Sequence, residues 1–291
     1  MKKICFAVTL MVTALCSAVC AGDLLKYAPE GAQLIANVDV SEIVKRPEVI
    51  KFLQSEDAMA KQQEFASKVG FGINDINCAL LVINGSGSGV LFVETTKKID
   101  VASAIKKLNI NAVAKKSGKN EIWCFDGNSY ICQVSDKVFA LGDDDDIERA
   151  LGVNTKCGVS GEMAKMVNSC RKTDNVAWMV FADDNAMSGI LSYAFVGKDK
   201  KDHEINISIK VANEAQAKQM AAVIPMYTGM FVGAVFGDNP ELGAKVMSCV
   251  VPFVKDSQFG VKIRLSAALV DEIISYVAAH GREIAKAAES I

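Results

Sequence analysis

A run of 19 residues, 219–237, contains no charged side chain, and it constrains the fold more than any other feature of the sequence. Apolar residues and one threonine recur at helical spacing from residue 217 onward, at positions 217, 220, 221, 224, 228, 231, 232 and 235. Further apolar side chains cover the other side. A helix that is apolar all round must be buried on every side or lie in lipid. We therefore keep three hypotheses open: burial within the fold or against a second subunit, reversible contact with a membrane or lipid, and a true membrane span.

Glycines recur within this run at a spacing of four residues, which lets membrane helices approach each other closely. Pro225 predicts a kink in the first third of the helix, and residues 238–240 predict its end. Together with residues 242–254, which are largely apolar and contain Pro252, the run predicts a helical hairpin. The predicted contact surface consists of Met220, Tyr227, Gly229, Met230, Phe231, Gly233 and Gly237.

The first 21 residues have the pattern of a secretory signal peptide. Two lysines precede an uncharged apolar run, and small residues at 19 and 21 predict cleavage after Ala21. The run is shorter than the ~20 apolar residues that a membrane span needs. Neither Cys16 nor Cys20 follows a small residue, which favours soluble release over lipid anchoring. We therefore expect a bacterial protein exported to the periplasm or beyond.

Composition limits the class of protein. The chain is 51% apolar and 23% charged and has five prolines, which excludes a disordered or collagen-like protein. Its formal net charge is −2 at pH 7. Because there is no basic excess to neutralise phosphates, we expect no nucleic-acid partner.

Strand and helix patterns follow one another in a similar order in both parts of the chain. Strands are predicted at 33–40, 79–83, 90–94, 121–125, 130–134, 138–141, 177–181, 204–211 and 261–265, with helices beginning near residues 41, 56, 100, 144, 213 and 266. The prediction is an α+β fold of two similar halves, each a mainly antiparallel sheet with helices packed on one face. The halves are placed at residues 22–155 and 156–291.

A resemblance to known proteins rests on three segments. They are Ala28-Pro29-Glu30-Gly31-Ala32, the strand ending at Asp39-Val40, and the approach Gly70-Phe71-Gly72-Ile73-Asn74-Asp75-Ile76. Together they resemble a group of uncharacterised exported bacterial proteins, over most of the chain that follows the leader. The resemblance implies an α+β fold of two halves in the bacterial envelope, and it implies no activity.

Six cysteines follow the expected cleavage site, and an even number in an oxidising compartment permits disulfides. Cys124 and Cys132 flank the turn at 126–129, and a three-residue loop would place them opposite each other on adjacent strands. A disulfide between them is one hypothesis, and two small buried thiols are the alternative. The cysteine spacing and the presence of only two histidines predict no metal site.

Several polar motifs suggest chemistry, but each has a simpler structural explanation. The glycine-rich segment 85–89 is followed by a strand rather than a helix, so it predicts a hairpin tip and not a phosphate loop. The acidic run 143–146 lacks the spacing of an EF-hand calcium loop. It predicts a helix start, with residue 143 or 144 as the cap and the other acids near the positive end of the helix dipole. The acidic pair at 183–184 is interpreted in the same way.

Two histidines are candidates for a catalytic base. Glu272, Tyr276 and His280 recur every four residues and share a helix face, from which a base oriented by a carboxylate can be built. We expect an ordinary solvent-facing stripe there, because no nucleophile is positioned beside it. His203 lies in a charged segment and is expected at the surface. No catalytic residue is predicted.

The leading functional hypothesis is an exported, non-catalytic envelope protein that acts by binding or assembly through the apolar segment 219–254. One alternative is a periplasmic carrier or sensor that holds a hydrophobic ligand between Met220, Met226, Met230 and Met247 and the sheet. Another is a hydrolase with an unrecognised carboxylate site, for which Asp39 and Asp183 are candidates. The expected partners are a second copy, another envelope protein, or a lipid or membrane surface, and no cofactor is expected.

Overall fold

A computed structural model describes residues 24–54, 56–85, 87–108, 111–117, 120–125, 129–152, 158–183, 187–197 and 199–288. The predicted signal peptide and most of the predicted turn at 126–129 lie outside these residues. The chain divides into two units, residues 1–181 and 182–291. The sequence-based division at 155/156 concerns a repeated order of elements and stays a prediction.

The first unit is built on an antiparallel sheet. Its strands are β1 (Ala32–Val38), β2 (Ile76–Asn84), β3 (Gly89–Thr95), β4 (Ala112–Ser117), β5 (Asn120–Phe125), β6 (Ser129–Ser135), β7 (Val138–Gly142) and β8 (Asn175–Ala182). Their order across the sheet is β8-β1-β2-β3-β7-β6-β5-β4. The helices are α1 (Val40–Ile43), α2 (Pro47–Leu53), α3 (Glu56–Val69), α4 (Val101–Lys107), α5 (Asp144–Ala150) and α6 (Gly161–Arg171). Short 3-10 turns occur at Leu25–Tyr27 and Ile73–Asp75.

The second unit is smaller and has the same kinds of element. Its strands are β9 (Ser188–Val196), β10 (Asp202–Lys210), β11 (Val250–Lys255) and β12 (Gln258–Leu265), in the order β9-β10-β12-β11. Its helices are α7 (Glu214–Phe236), α8 (Pro240–Ser248) and α9 (Ala267–Ala288). All pairings are antiparallel, so the expected α+β class with mainly antiparallel strands is confirmed.

Both faces of the first sheet are covered. Val101 and Ile105 of α4 pack with Val93 and Phe139 in one hydrophobic cluster. Side chains alternate between the faces of a strand, so the even-numbered residues of β3 face the other way. On that opposite face Phe92 stacks on Tyr27, with ring centroids 5.7 Å apart. Helical segments therefore lie against both faces of this sheet.

Local signals account for most element boundaries. Asp100 caps α4, where its carboxylate accepts a hydrogen bond of 2.9 Å from the Ser103 backbone N–H. Asn213 caps α7 in the same way through Gln216 N–H, at 2.9 Å. Residues 85–89 connect two paired antiparallel strands, as predicted, and a positive φ of 78° at Gly87 suits a tight turn. The predicted helix end at 238–240 is also confirmed.

Other boundaries differ from the prediction. Val40 begins α1 rather than ending β1, because Asp39 already caps a helix by accepting from Glu42 N–H at 3.1 Å. The expected helical hairpin is wrong in its second arm. Residues after Ser248 form β11 instead, with Val250 opposite Ile263 of β12. This segment is rich in β-branched residues, and its Pro252 is tolerated because β11 is an edge strand.

Candidate contact surface

Helix α7 is attached to its unit along one narrow stripe. Near its start, Ala217 is fully buried in a cluster with Val211 and Phe259. Near its end, Val232 and Phe236 pack in a second cluster that includes residues of α8 and α9. Between these anchors Thr228 donates a hydrogen bond of 2.8 Å to the Ile224 carbonyl, so its hydroxyl is satisfied within the helix.

The side of α7 away from this stripe is apolar and exposed. We call six of its side chains the outer face of α7: Met220, Val223, Met226, Tyr227, Met230 and Phe231. Their exposed fractions are 41%, 37%, 54%, 61%, 56% and 58%, in that order. Aromatic side chains have about 150–250 Å² each to bury. Tyr227 and Phe231 alone therefore expose on the order of 200 Å², and with the three methionines and Val223 the outer face exposes several hundred Å². Patches of this size mark interaction sites.

Four of the predicted contact residues, Met220, Tyr227, Met230 and Phe231, belong to the outer face. The predicted glycines lie beside it: Gly229 is half-buried, and Gly233 and Gly237 are exposed. A Cβ built at Gly229 or Gly233 would meet no atom within 4 Å outside the helix's own backbone. The glycine repeat is therefore not used to pack another described element against α7.

A different glycine, which the sequence analysis missed, brings α8 against α7. A Cβ at Gly243 would lie 3.3 Å from Phe236 Cβ and 3.3 Å from Val232 Cγ1. No larger residue fits there without displacing its neighbours. Gly243 alone did not predict this close packing of the two helices, because an isolated glycine in a helical pattern has several explanations.

The methionines of this segment do not form the ligand gap that was predicted. Met220, Met226 and Met230 are 41–56% exposed, so they face solvent rather than the sheet. Met247 packs at the edge of the cluster around Leu242 and Leu269. The predicted carrier site at these four residues is therefore wrong, because only one of them points toward the interior.

The outer face carries no charge, and charges begin only at its ends. At the N-terminal end Lys218 pairs with Glu214 at 2.6 Å, one turn apart. At the far end Lys245 of α8 pairs with Glu272 of α9 at 2.9 Å. The Tyr227 hydroxyl is the one hydrogen-bonding side-chain group on the outer face. The arrangement is suited to apolar contact and not to polar recognition or catalysis.

The combination of length and apolar composition in α7 is also unusual. Within the described part of the chain, Glu214–Phe236 is the one helix long and apolar enough to cross a membrane, with a mean hydropathy of 1.4. Core helices of soluble proteins share this length and composition, but they are mostly buried. In α7, by contrast, 11% of the 18-residue apolar stretch is buried. Helix α7 is thus not a typical core helix.

Glu272 and His280 do not form a base oriented by a carboxylate. Glu272 is paired with Lys245, and His280 Nδ1 lies 3.0 Å from the Tyr276 carbonyl oxygen, with the two rings stacked. His203 is a correction, since it is buried rather than at the surface. Strand β10 begins at Asp202, so His203 points into the unit, where its Nδ1 lies 2.5 Å from the Tyr193 hydroxyl.

The acidic run is divided between separate structural roles. Asp146 is buried and accepts a hydrogen bond of 2.5 Å from the Asn84 side chain, while Asp144 pairs with Lys115. Asp143 occupies the cap position of α5, as predicted, although its side chain makes no capping hydrogen bond. No group of three possible metal ligands occurs among the described residues.

The two carboxylates considered for a hydrolase both serve local turns. Asp39 is 3% exposed and caps α1, accepting from the Ser41 hydroxyl at 2.5 Å as well as from the backbone. Asp183 accepts a hydrogen bond of 3.0 Å from Met187 N–H. Their hydrogen bonds explain their positions without a catalytic role.

Cys124 and Cys132 are both free, which corrects the predicted disulfide. In the β5/β6 register Cys132 lies opposite Ile122, and Cys124 lies opposite Tyr130. The two cysteines are therefore diagonal neighbours, whose Cβ atoms lie ~7 Å apart, whereas a disulfide requires about 4 Å. Burial raises the pKa of the Cys132 thiol to about 12.

Comparison with known proteins gives similarity of fold only. No family model and no curated protein matches the chain. Three crystal forms of TP0453, an exported protein of Treponema, are similar in structure. Form III has a TM-score of 0.49 at 8% identity and covers 86% of this chain and 97% of that chain. Form I has 0.46 at 10%, covering 87% and 96%, and form IV has 0.45 at 9%, covering 86% and 96%.

Proposed function

We propose that this protein is a non-catalytic protein of the bacterial envelope that attaches to a lipid surface through the outer face of α7. The observation that carries the proposal is the exposure of six large apolar side chains on an uncharged helix whose other side is anchored in the fold. The leader-like residues 1–21 support the location.

The chemistry of the outer face favours lipid over a protein partner. A specific protein interface carries about ten hydrogen bonds and a polar rim. The outer face offers one hydroxyl, at Tyr227, among methionine, valine and phenylalanine side chains. Tyrosine is also common at the boundary between lipid and water, because its ring is apolar and its hydroxyl is polar.

The anchoring of α7 favours attachment at the surface over a span. At 1.5 Å per residue the helix is about 34 Å long, which matches the hydrocarbon thickness. To cross a bilayer, however, it would have to leave its clusters and expose Phe259, Leu242 and Leu269 to water. Lying in the plane of the interface buries the outer face and keeps both clusters intact.

A flotation experiment tests the proposal. The protein without residues 1–21 is mixed with neutral phosphatidylcholine vesicles and floated through a density gradient. We expect the wild type to float and the double variant Met230→Ser/Phe231→Ser to bind at least tenfold less, because each half-exposed side chain contributes about 1 kcal/mol on burial. Val113→Ser is the matched control, since Val113 is 71% exposed on β4 of the other unit.

Two results would overturn the proposal. One is equal flotation of the wild type and the double variant. The other combines two observations: light scattering shows a discrete wild-type dimer that the double variant does not form, and neither protein binds vesicles. That combination would assign the outer face to contact with a second copy.

A further inference from the structure

The first unit contains an apolar cavity that belongs to none of the surfaces described above. Its volume is about 200 Å³, and it lies between α3, α4 and the sheet. Its walls include Phe65 and Val69 of α3, Val101, Ala104 and Ile105 of α4, and Phe139 of β7. Phe139 and Ile105 belong to the core cluster of this face, so the cavity floor is the core itself.

The lining determines which part of a ligand fits. Twelve of the 13 lining residues are apolar, so a polar group inside would find almost no hydrogen-bonding partner. A dry apolar cavity of ~150 Å³ accommodates one benzene ring, so this cavity takes roughly eight carbon atoms. The cavity therefore suits an apolar chain or a substituted single ring.

The opening of the cavity has two notable groups. Phe65 is 46% exposed and makes an edge-to-face contact with Phe71, with ring centroids 5.9 Å apart. Asp100 is also exposed. It is the one ionisable residue among those that line the cavity, so the only charge of the lining lies on the solvent side. A negative charge at the opening disfavours an anionic head group on the ligand.

Helix α3 provides a route of entry. None of its side chains whose burial is described, from residue 58 to residue 69, is fully buried, so little packing holds the helix in place. A wall with few buried apolar contacts opens at low cost. In contrast, the α4 wall is fixed by the buried Val101 and Ile105.

We propose that this cavity is a binding site for the apolar end, about eight carbons long, of a neutral amphiphile. The site does not include the outer face of α7, so the cavity proposal can be tested independently of lipid attachment. It also places ligand binding in the first unit, away from the methionines at which the sequence analysis expected it.

The test uses 1-octanol as the probe and isothermal titration calorimetry of the protein without residues 1–21. We expect saturable binding of one octanol per chain to the wild type. Ala104→Leu and Ala104→Met each place a larger side chain in the cavity and are expected to weaken binding at least tenfold. Phe231→Ser, on α7, is the matched control and is expected to bind octanol like the wild type. Circular dichroism and thermal melting establish that each variant is folded.

A second arm tests the role of charge. Octanoate is expected to bind more weakly than octanol, and Asp100→Asn is expected to reduce that difference, because asparagine also caps a helix and removes only the charge. Absence of octanol binding to the wild type, or equal binding to a folded Ala104 variant, would overturn the proposal. Loss of binding in Phe231→Ser would move the site to α7 and would overturn it as well.

Discussion

Gly243 of α8 lies directly against Phe236 of α7, where an added Cβ would lie 3.3 Å from the Phe236 Cβ, a tighter contact than side chains normally make. This contact holds the end of α7 in the cluster formed with Leu242 and Leu269. It is therefore one of the contacts that keep the outer face turned toward solvent. Gly229 and Gly233 of α7 have no comparable neighbour, whereas a Cβ at Gly237 would lie 2.9 Å from the Gly233 carbonyl oxygen.

Substitution of two glycines should have opposite effects on stability. Gly243→Ala is expected to destabilise the protein by about 1–2 kcal/mol, because its Cβ would press on Phe236 and Val232. Gly229→Ala is expected to stabilise it by about 0.5–1 kcal/mol, because alanine favours the helix and meets nothing. Urea denaturation measures both. Destabilisation by Gly229→Ala would mean that this face of α7 is covered.

Lipid attachment should depend little on charge. Residues 182–291 carry 11 lysines and arginines against 13 aspartates and glutamates, a balance of −2, so this unit has no basic excess. We expect binding to neutral vesicles to change by less than about twofold between low and high salt, because apolar burial is not screened. Vesicle binding at several salt concentrations checks this. A steep loss with salt would indicate that electrostatic attraction, and not the apolar outer face, drives binding.

Cysteine labelling should follow burial. Burial raises the pKa of both Cys132 and Cys170 to about 12. Since the thiolate is the reactive form, we expect iodoacetamide at pH 8 to leave these two residues unmodified in the folded protein. The half-buried Cys124 and Cys249 should react first. Peptide mass spectrometry measures the modification of each cysteine. If Cys124 and Cys132 were both protected in the absence of reductant, the disulfide hypothesis would be restored.

Asp75 should make stability sensitive to acid. Its hydrogen bond with Lys97, together with the Gly72 backbone N–H, lowers the pKa of this carboxyl below its ordinary value of 3.8. A lowered folded-state pKa gives stability that is complete above the unfolded pKa and is lost as pH falls through the folded pKa. The wild type should therefore lose more stability than Asp75→Asn below about pH 4.

The size of this effect is limited by solvent, because Lys97 is largely exposed, and we expect less than about 1 kcal/mol. Denaturant melts from pH 6 to pH 2.5 provide the measurement. Lys97→Met should reproduce most of the change. Parallel stability curves for the wild type and Asp75→Asn would contradict the assignment.

The parts of this fold that the sequence predicts are those set by neighbouring residues. Asp100 and Asn213 cap helices through bonds that reach only three residues ahead, and the β2/β3 hairpin follows from two apolar runs around a glycine loop. His203 was misplaced because β10 begins at Asp202, before the predicted start at 204, so His203 lies within the strand and side-chain alternation places it on the buried face.

The candidate sites divide in the same way. The apolar character of α7 is visible in the sequence, but which of its sides is covered depends on Phe259 and Leu269, which are distant in the chain. The cavity beside Ala104 could not be predicted, because its walls come from helices and strands spread over residues 65–141. Segment 250–255 was mistaken for helix since a short apolar run fits either structure.

Pro252 gives the outermost strand of the second unit a protective property. Proline has no backbone N–H, and here it sits in β11, the outermost strand in the order β9-β10-β12-β11. An incoming strand from another molecule would find one donor missing at this position, so stacking into fibrils is hindered. Although the outer face of α7 exposes a large apolar area, aggregation by strand pairing at the β11 edge is thus hindered.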